Sequence, residues 1–336
     1  MIQAQYQWTT IGYEKRYILT SNFLKMLRCF LFFILVGLAG CARTPQGTQR
    51  VLTSRPVQVW GEQGARPGEF TQPRAAAVAP DGFVYICDIT GRIHKWSKDG
   101  KFIKAWKSPK LRDDLPEGPE GITVLRDGNI AFSNTHASRI IIFSPQGKQL
   151  RQFGTYGTGP GQFLLVTGIC SDAEGFIYAA DYGGEFDRVS KWTPQGKLVA
   201  SWIGHGSGPR QFRRPCGLAI SREGDLLVAD IGNHRIQRLD RKTGAYKSEF
   251  GGRGHGDGQL SYPYGVAVDG GGNIYAVEYG NHRVQKFSPQ GKHIAKWGGP
   301  GHAIGQLATP RGLAVDKDGT VYVMDTMNHR VQKFHF

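Results

Sequence analysis

Short apolar runs alternate with turns rich in Gly, Pro and Asp along the chain from residue 55 to its end. The clearest stretch has four such runs, which we label strands a to d, at 265–269, 273–278, 283–287 and 293–297. Runs this short, rich in Val, Ile, Tyr and Phe and bounded by turn formers, predict β-strands. No stretch after residue 50 sustains the period of an amphipathic helix. The pattern therefore predicts an all-β domain.

One phrase recurs three times near the C-terminus. It reads N-H-R-I-Q-R at Asn233–Arg238, and N-H-R-V-Q-K at Asn281–Lys286 and at Asn328–Lys333. A second marker, an apolar strand preceded by Pro or Gly and followed by a turn, extends the pattern to six units spaced 46 to 49 residues apart. Its matched positions are Ala75, Gly121, Gly168, Gly217, Gly265 and Gly312. A fixed period of this size indicates one supersecondary unit used repeatedly.

Six units of four strands predict an all-β, six-bladed β-propeller with four-stranded antiparallel blades. The last unit ends after its third strand, and Val57–Gly61 matches the fourth strand of the preceding unit at Ile294–Gly298. We therefore expect this N-terminal strand to complete the last blade, because closing the ring removes open sheet edges. The predicted propeller domain covers residues 55–336.

The chain resembles NHL-repeat propellers in the phrase N-H-R-V-Q-K-F, in the strand opening P-x-G-V-A-V-D and in its six units. The resemblance covers roughly residues 55 to 336. It implies the fold, and it carries little information about activity because one fold hosts many functions.

An apolar core of ten residues, Phe30–Ala39, follows the basic residues Lys25 and Arg28. It is too short to span a bilayer and has the length of a signal-peptide core. The tetrad Leu38-Ala39-Gly40-Cys41 that ends it resembles the lipobox of bacterial lipoproteins, whose Cys is diacylated and becomes the new N-terminus. A short membrane anchor and a chance apolar run are the alternatives.

These features predict a signal peptide over residues 1–40, with Met26 as an alternative start, and a lipidated flexible tether over 41–54 that begins at Cys41. Two acyl chains make a stable anchor. The prediction places the protein in the bacterial cell envelope, lipid-anchored and extracytoplasmic, in the periplasm or on the cell surface.

The formal net charge of the chain is +15 at pH 7. A basic balance favours an anionic membrane, an acidic polymer or nucleic acid as a partner. Because the export signal argues against nucleic acid, we expect an envelope protein or an anionic glycan, in addition to the membrane reached through the lipid anchor. A high isoelectric point without any specific ligand is the alternative.

The residue before the marker position opens strand a, at the predicted channel mouth. The six residues at this position form a mixed polar ring that includes two Arg, one Glu and one Tyr. Such a ring could hold a carboxylate or a phosphate through its Arg side chains. A solvated channel rim without a ligand is the alternative. Propellers that resemble the peptidylglycine amidating lyase place zinc-binding His at some of these positions, and none is His here. We predict no catalytic residue and no cofactor, with a channel calcium or zinc left open. The six residues are Arg74, Glu120, Thr167, Cys216, Tyr264 and Arg311.

The acid, amide, His and Arg side chains of the repeated phrase are predicted to be structural. Equivalent His residues stand a blade apart, so they cannot converge on one metal ion, and each acid has a cation nearby. These residues are Asp230, Asn233, His234 and Arg235 in the fourth unit, Glu278, Asn281, His282 and Arg283 in the fifth, and Asp325, Asn328, His329 and Arg330 in the sixth.

The sequence thus predicts a binding or scaffold module. The alternative is an exported enzyme, a metal-dependent lyase or hydrolase that resembles the peptidylglycine amidating lyase and has its site at the channel mouth.

Overall fold

A computed structural model describes residues 56–110 and 118–335. The predicted signal peptide, the tether and the lipidation site Cys41 lie outside the described residues. Within the described part of the chain, no helix has both the length and the apolar character needed to cross a bilayer.

Six four-stranded antiparallel sheets form the propeller, as the sequence predicts. Strand β1 (Gln58–Trp60) precedes the first complete blade. Blade 1 contains β2 (Pro73–Val78), β3 (Val84–Asp88), β4 (Arg92–Trp96) and β5 (Phe102–Lys107). Blade 2 contains β6 (Gly121–Val124), β7 (Ile130–Asn134), β8 (Arg139–Phe143) and β9 (Gln149–Phe153).

The loop into blade 3 carries a short parallel pair, β10 (Thr155–Tyr156) and β11 (Gln162–Phe163). Blade 3 contains β12 (Leu165–Ser171), β13 (Ile177–Tyr182), β14 (Arg188–Trp192) and β15 (Leu198–Ile203). Blade 4 contains β16 (Pro215–Ile220), β17 (Leu226–Asp230), β18 (Arg235–Leu239) and β19 (Tyr246–Gly251).

Blade 5 contains β20 (Pro263–Val268), β21 (Ile274–Glu278), β22 (Arg283–Phe287) and β23 (His293–Gly298). Blade 6 contains β24 (Leu313–Val315), β25 (Val321–Asp325) and β26 (Arg330–Phe334). Its fourth strand is β1, which pairs antiparallel with β26 and places Trp60 opposite Val331. Trp60 is buried and stacks on Trp96 of blade 1, with ring centroids 5.6 Å apart. The predicted closure of the ring by the N-terminal strand is confirmed.

The hydrophobic core lies between neighbouring blades. Strand b of each blade is buried on both faces, and β21 shows how its side chains divide between two neighbours. Ile274 and Ala276 pack in the cluster shared with blade 4, whereas Tyr275 and Val277 pack in the cluster shared with blade 6. Each blade therefore needs both of its neighbours to bury its apolar surface.

The d–a loops contain order that the sequence analysis did not predict. Each of four loops closes on itself through a parallel bridge between residues seven apart, and β10 and β11 form a longer version of it. The second residue of every bridge is a fully buried Phe or Leu, which anchors the loop in the core. The bridges are Gln63 with Phe70, His205 with Phe212, Arg253 with Leu260, and Pro300 with Leu307.

The repeated phrase builds a hydrogen-bonded cluster that we call the loop clamp. In blade 4 the carboxylate of Asp230, at the end of strand b, accepts hydrogen bonds from Asn233 at 2.8 Å, from Arg235 at 3.0 Å and from Gln237 at 3.1 Å. Arg235 and Gln237 also donate to the carbonyl of Gln211, at 2.9 Å and 2.7 Å. The clamp therefore fixes the d–a loop of its own unit.

Blades 5 and 6 contain the same clamp, and blades 1 and 3 contain part of it. Asp88 with Arg92 and Asp181 with Arg188 keep the ion pair. His94 and Ser190 stand at the strand-c position that Gln237 occupies in blade 4. The clamps of blades 5 and 6 consist of Glu278, Asn281, Arg283 and Gln285, and of Asp325, Asn328, Arg330 and Gln332.

The acid of the clamp is an amide in blade 2, and the contacts differ there. Arg139 donates to the side chain of Gln152 at 3.0 Å and to the carbonyl of Pro109 at 2.7 Å, while Asn134 donates to Ser108 at 3.3 Å.

The histidines of the phrase join each blade to the next one. Their Nδ1 atoms accept backbone N–H groups of the following d–a loop over 3.0 to 3.2 Å. We call these bonds inter-blade latches, and each one requires an unprotonated Nδ1. Asp187 performs the same role between blades 3 and 4, accepting the N–H of Arg214 at 2.9 Å. The three His latches join His234 to Tyr262, His282 to Thr309 and His329 to Gln72.

Replacing His234 with Ala should lower the free energy of unfolding by about 1–3 kcal/mol at neutral pH, because the N–H of Tyr262 loses its acceptor. Burial lowers the pKa of His234, and Arg253 lowers it further. The unfolded chain therefore takes up this proton at a higher pH than the folded chain. The stabilisation is complete above the ordinary His pKa and is lost as the pH falls below it.

Denaturant titrations between about pH 7.5 and 5.5 measure the free energy of unfolding. The difference in this free energy between wild type and His234→Ala should become smaller as the pH falls. His302→Ala is the matched control, because His302 is exposed and contacts Asn328 of its own unit. If the difference in the free energy of unfolding between wild type and His234→Ala stays constant or grows as the pH falls, the latch is contradicted.

Candidate ligand-binding site at the channel mouth

The inner strands surround a central cavity of about 290 Å³. Thr167 lies outside its lining, where it is buried and donates its hydroxyl to the carbonyl of Pro215 at 3.0 Å. The other five residues that the sequence assigns to the channel mouth line the cavity, and they are Arg74, Glu120, Cys216, Tyr264 and Arg311.

The marker glycine follows the mouth residue because the inner strands approach closely there. A Cβ atom on Gly217 would stand 2.7 Å from the carbonyl oxygen of Tyr264 and 2.7 Å from the Cα of Gly265. Real Cβ atoms do not approach backbone so closely, so the next strand could not pack in this position. The repeated glycine therefore sets the width of the ring at its mouth.

One carboxylate at the mouth is shared by two guanidinium groups. Glu120 Oε1 accepts from Arg74 Nη1 at 2.5 Å and from Arg311 Nη1 at 2.9 Å. These side chains belong to blades 2, 1 and 6, and they are 15%, 9% and 21% exposed respectively. The Nε atom of Arg74 is buried and has no hydrogen-bond partner in the part of the chain that the structure describes.

Among residues 56–110 and 118–335, the charges at the mouth are unbalanced. Burial lowers the pKa of Arg74, Glu120 opposes this shift, and Arg311 adds to it. Because an Arg side chain stays protonated even after a sizeable shift, two described cations face one described anion in a partly desolvated site.

Tyrosine rings and a third arginine extend the mouth toward blades 4 and 5. Arg214 donates to the Tyr264 hydroxyl at 3.1 Å and lies over the ring of Tyr182, 5.0 Å from its centroid. Arg311 lies over the ring of Tyr264 at 4.9 Å. Burial raises the pKa of Tyr264 to about 12, so its hydroxyl remains a donor at neutral pH.

Arg214 and Tyr182 are site residues that the sequence did not predict. Arg214 stands three residues before the marker glycine of blade 4, at the position whose backbone N–H takes part in the latch. Other units have Gln72, Tyr262 and Thr309 at that position. A charge at one copy of an otherwise uncharged position is the signal that could have identified it.

Two further groups at the mouth have perturbed titration. Burial lowers the pKa of His136, with Glu120 acting against the shift and Arg74 acting with it. Burial raises the pKa of the Cys216 thiol to about 12. Cys216 is therefore a neutral thiol at physiological pH, which disfavours it as a nucleophile.

A metal bound by side chains does not fit the described residues. Across 56–110 and 118–335, no three His, Cys, Asp or Glu side chains come together as a set that could hold an ion. The latch histidines are each engaged with a different blade, so they do not form a zinc site.

Known proteins resemble this chain in its repeats and its fold. The sequence model of the NHL repeat matches residues 212–239, 260–287 and 307–334, which lie in blades 4, 5 and 6. The curated relative RING finger protein nhl-1 of Caenorhabditis elegans is 32% identical over 77 residues. These residues make up 23% of this chain and only 8% of that protein.

Two solved structures share the propeller over most of both chains. A catalytically inactive His-to-Ala variant of virginiamycin B lyase from Staphylococcus aureus, solved with quinupristin, has a TM-score of 0.57 at 17% identity, covering 82% of this chain and 88% of that one. A gluconolactonase from Xanthomonas campestris has a TM-score of 0.59 at 15% identity, covering 84% and 97%. At these identities the likeness shows the fold alone. This chain therefore carries NHL repeats in blades 4, 5 and 6 of a closed, six-bladed β-propeller.

Proposed function

We propose that this protein is an exported, lipid-anchored binding module that presents its d–a and b–c loops to an envelope protein or an anionic glycan. The observation that carries the proposal is an excess of exposed arginine on the d–a loops that enter blades 4 and 5. Asp257, which lies in the second of these loops, is already paired with Lys296. The exposed arginines are Arg210, Arg213, Arg214 and Arg253.

The loop clamps favour binding by this surface. Gln211, next to Arg210, is held through its carbonyl by Arg235 and Gln237, and the N–H of Arg213 donates to Asp230 at 2.7 Å. A loop whose backbone is already fixed loses little conformational entropy when a partner binds. The arginines of this loop thus form a preorganised cationic surface, which suits an acidic partner.

Export and anchoring rest on the sequence. The apolar core Phe30–Ala39 and the tetrad that ends at Cys41 support a lipid anchor outside the cytoplasm. An anchored disc with a cationic face can engage acidic polymers or proteins of the cell envelope.

Replacing Arg210 and Arg213 with Gln should weaken binding to polygalacturonate about tenfold at low salt, because two exposed cations are removed. Biolayer interferometry at about 50 and 200 mM salt measures the effect, and the variant should also depend less on salt. Lys98→Gln with Lys101→Gln is the matched control, because these exposed lysines flank a c–d turn on the opposite face. Equal weakening by both pairs contradicts the assignment of the face.

A second experiment tests for a protein partner in place of a glycan. A photo-crosslinking residue at position 213, introduced in living cells, should then yield one discrete adduct, and polygalacturonate should not bind. The absence of both a crosslinked adduct and polygalacturonate binding would rule out the binding-module proposal.

Labelling with a radioactive fatty acid should mark the wild-type protein and should fail for Cys41→Ala, because the acyl chains require that thiol. Gel autoradiography measures the incorporation. Cys87→Ala is the control, since Cys87 is a buried free thiol that should not affect labelling. Label that persists on Cys41→Ala contradicts the lipid anchor.

The second candidate is an exported enzyme with its site at the channel mouth. Lyase and gluconolactonase structures share the fold, and His136 stands in the electrostatic field of Glu120 and Arg74. Elemental analysis and a lactone-hydrolysis assay of the purified protein test it. An enzyme of this type should carry a stoichiometric metal and should lose activity on His136→Ala. Metal-free, inactive protein argues against this candidate.

A further inference from the structure

The central cavity is amphipathic along its length. Its polar end contains Arg74, Glu120, Tyr264 and Arg311 at the start of the inner strands. Beyond them the same strands contribute aliphatic side chains to the lining, and no charged residue appears among these later positions. The aliphatic residues include Ile122, Ile169, Leu218, Val266 and Leu313.

Among the described residues, one donor at the polar end has no partner. The side chain of Arg74 is 9% exposed, and its Nε is buried without a hydrogen-bond acceptor among the described residues. Buried donors almost always form a hydrogen bond, because an unpaired donor loses its hydration and gains no hydrogen bond to replace it. An acceptor supplied by a ligand would satisfy the Nε of Arg74.

The charge at the polar end also points to an anion. Both inner-strand arginines bond to the same oxygen of Glu120, and Arg214 adds a third cation next to Tyr264. Glu120 is the one carboxylate that bonds to the inner-strand arginines among the residues that the structure describes, and one carboxylate cannot neutralise three guanidinium groups. Guanidinium groups match carboxylates in shape and charge, and Glu120 shows that a carboxylate can bond to both inner-strand arginines. A second carboxylate, supplied by a ligand, therefore suits the remaining positive charge.

We propose that the channel binds a small carboxylate with an aliphatic body, whose head contacts Arg74 and Arg311 and whose body lies between the inner strands. The volume of about 290 Å³ lies at the small end of ligand pockets, which begin near roughly 300 Å³. The ligand class is therefore a short- to medium-chain aliphatic acid. This site lies at the centre of the ring. Arg214 borders both this site and the loop face, whereas Arg210 and Arg213 lie outside the cavity lining.

Titration calorimetry with sodium alkanoates from butyrate to decanoate tests the proposal. The protein is the full chain carrying Cys41→Ser, so that no acyl chain competes, at about pH 7.5, where alkanoates are ionised. Affinity should rise roughly fourfold per added methylene until the channel is filled. Primary alcohols of equal length should bind at least tenfold more weakly, because they lack the charged head.

Variants at the mouth separate the roles of the charges. Arg74→Met and Arg311→Met should each weaken alkanoate binding at least tenfold, whereas the matched control Arg126→Met, on an exposed a–b turn of the opposite face, should not change it. Glu120→Gln should tighten alkanoate binding several-fold and leave alcohol binding unchanged, because it removes the carboxylate that competes for both arginines. A gain in affinity cannot arise from misfolding, so this variant remains informative if the Arg variants fail to fold.

Several outcomes would overturn the proposal. They are no alkanoate binding, equal binding of alkanoates and alcohols, affinity that does not depend on chain length, or Glu120→Gln that binds more weakly than the wild type. None of these outcomes bears on binding at the Arg210 and Arg213 face, which the polygalacturonate experiment tests separately.

Discussion

Blades 4, 5 and 6 depend on the hydrogen bonds that a buried carboxylate at the end of strand b accepts. Asp230, Glu278 and Asp325 are fully buried, and each is surrounded by donors from Arg, Asn and Gln of the repeated phrase and from the backbone of the d–a loop. Burial raises the pKa of Asp230, and the hydrogen bonds from Arg213, Asn233 and Arg235 act against it. Such a charge persists only where its donors are fixed. The loop, the strand end and the phrase therefore have to form together.

The latches carry this order from blade to blade. His234, His282 and His329 have positive φ angles of 51° to 57°, an uncommon backbone for a residue other than Gly. This conformation ends the b–c loop and lets each ring accept an N–H from the neighbouring unit. Three His residues on one face of the ring could indicate either a metal-binding cluster or a set of inter-blade latches. Each His here accepts a backbone N–H from the next blade, and this contact identifies the latch.

The ring combines a repeated scaffold with a set of mouth residues that does not repeat. A small marker residue, Ala in the first unit and Gly in the other five, makes the inner strands equivalent, yet the residue before it is Arg, Glu, Thr, Cys, Tyr and Arg in the six units. Equivalent backbone positions thus carry different side chains toward one axis. A binding site can change there without disturbing the clamps or the latches, which is why the fold alone says little about the ligand.

Chain order and pattern alone determined the number of blades, the strands within them and the closure by β1. These features are encoded within one unit as apolar periodicity and turn chemistry, and six copies reinforce the same signal. Only the tertiary structure decided which mouth residues meet. Arg311 bonds to Glu120 across 191 residues of sequence, Arg214 lies over Tyr182, and Thr167 donates its hydroxyl to the carbonyl of Pro215 in the next blade. Such contacts depend on side-chain directions around a closed ring, and no local pattern in the sequence records those directions.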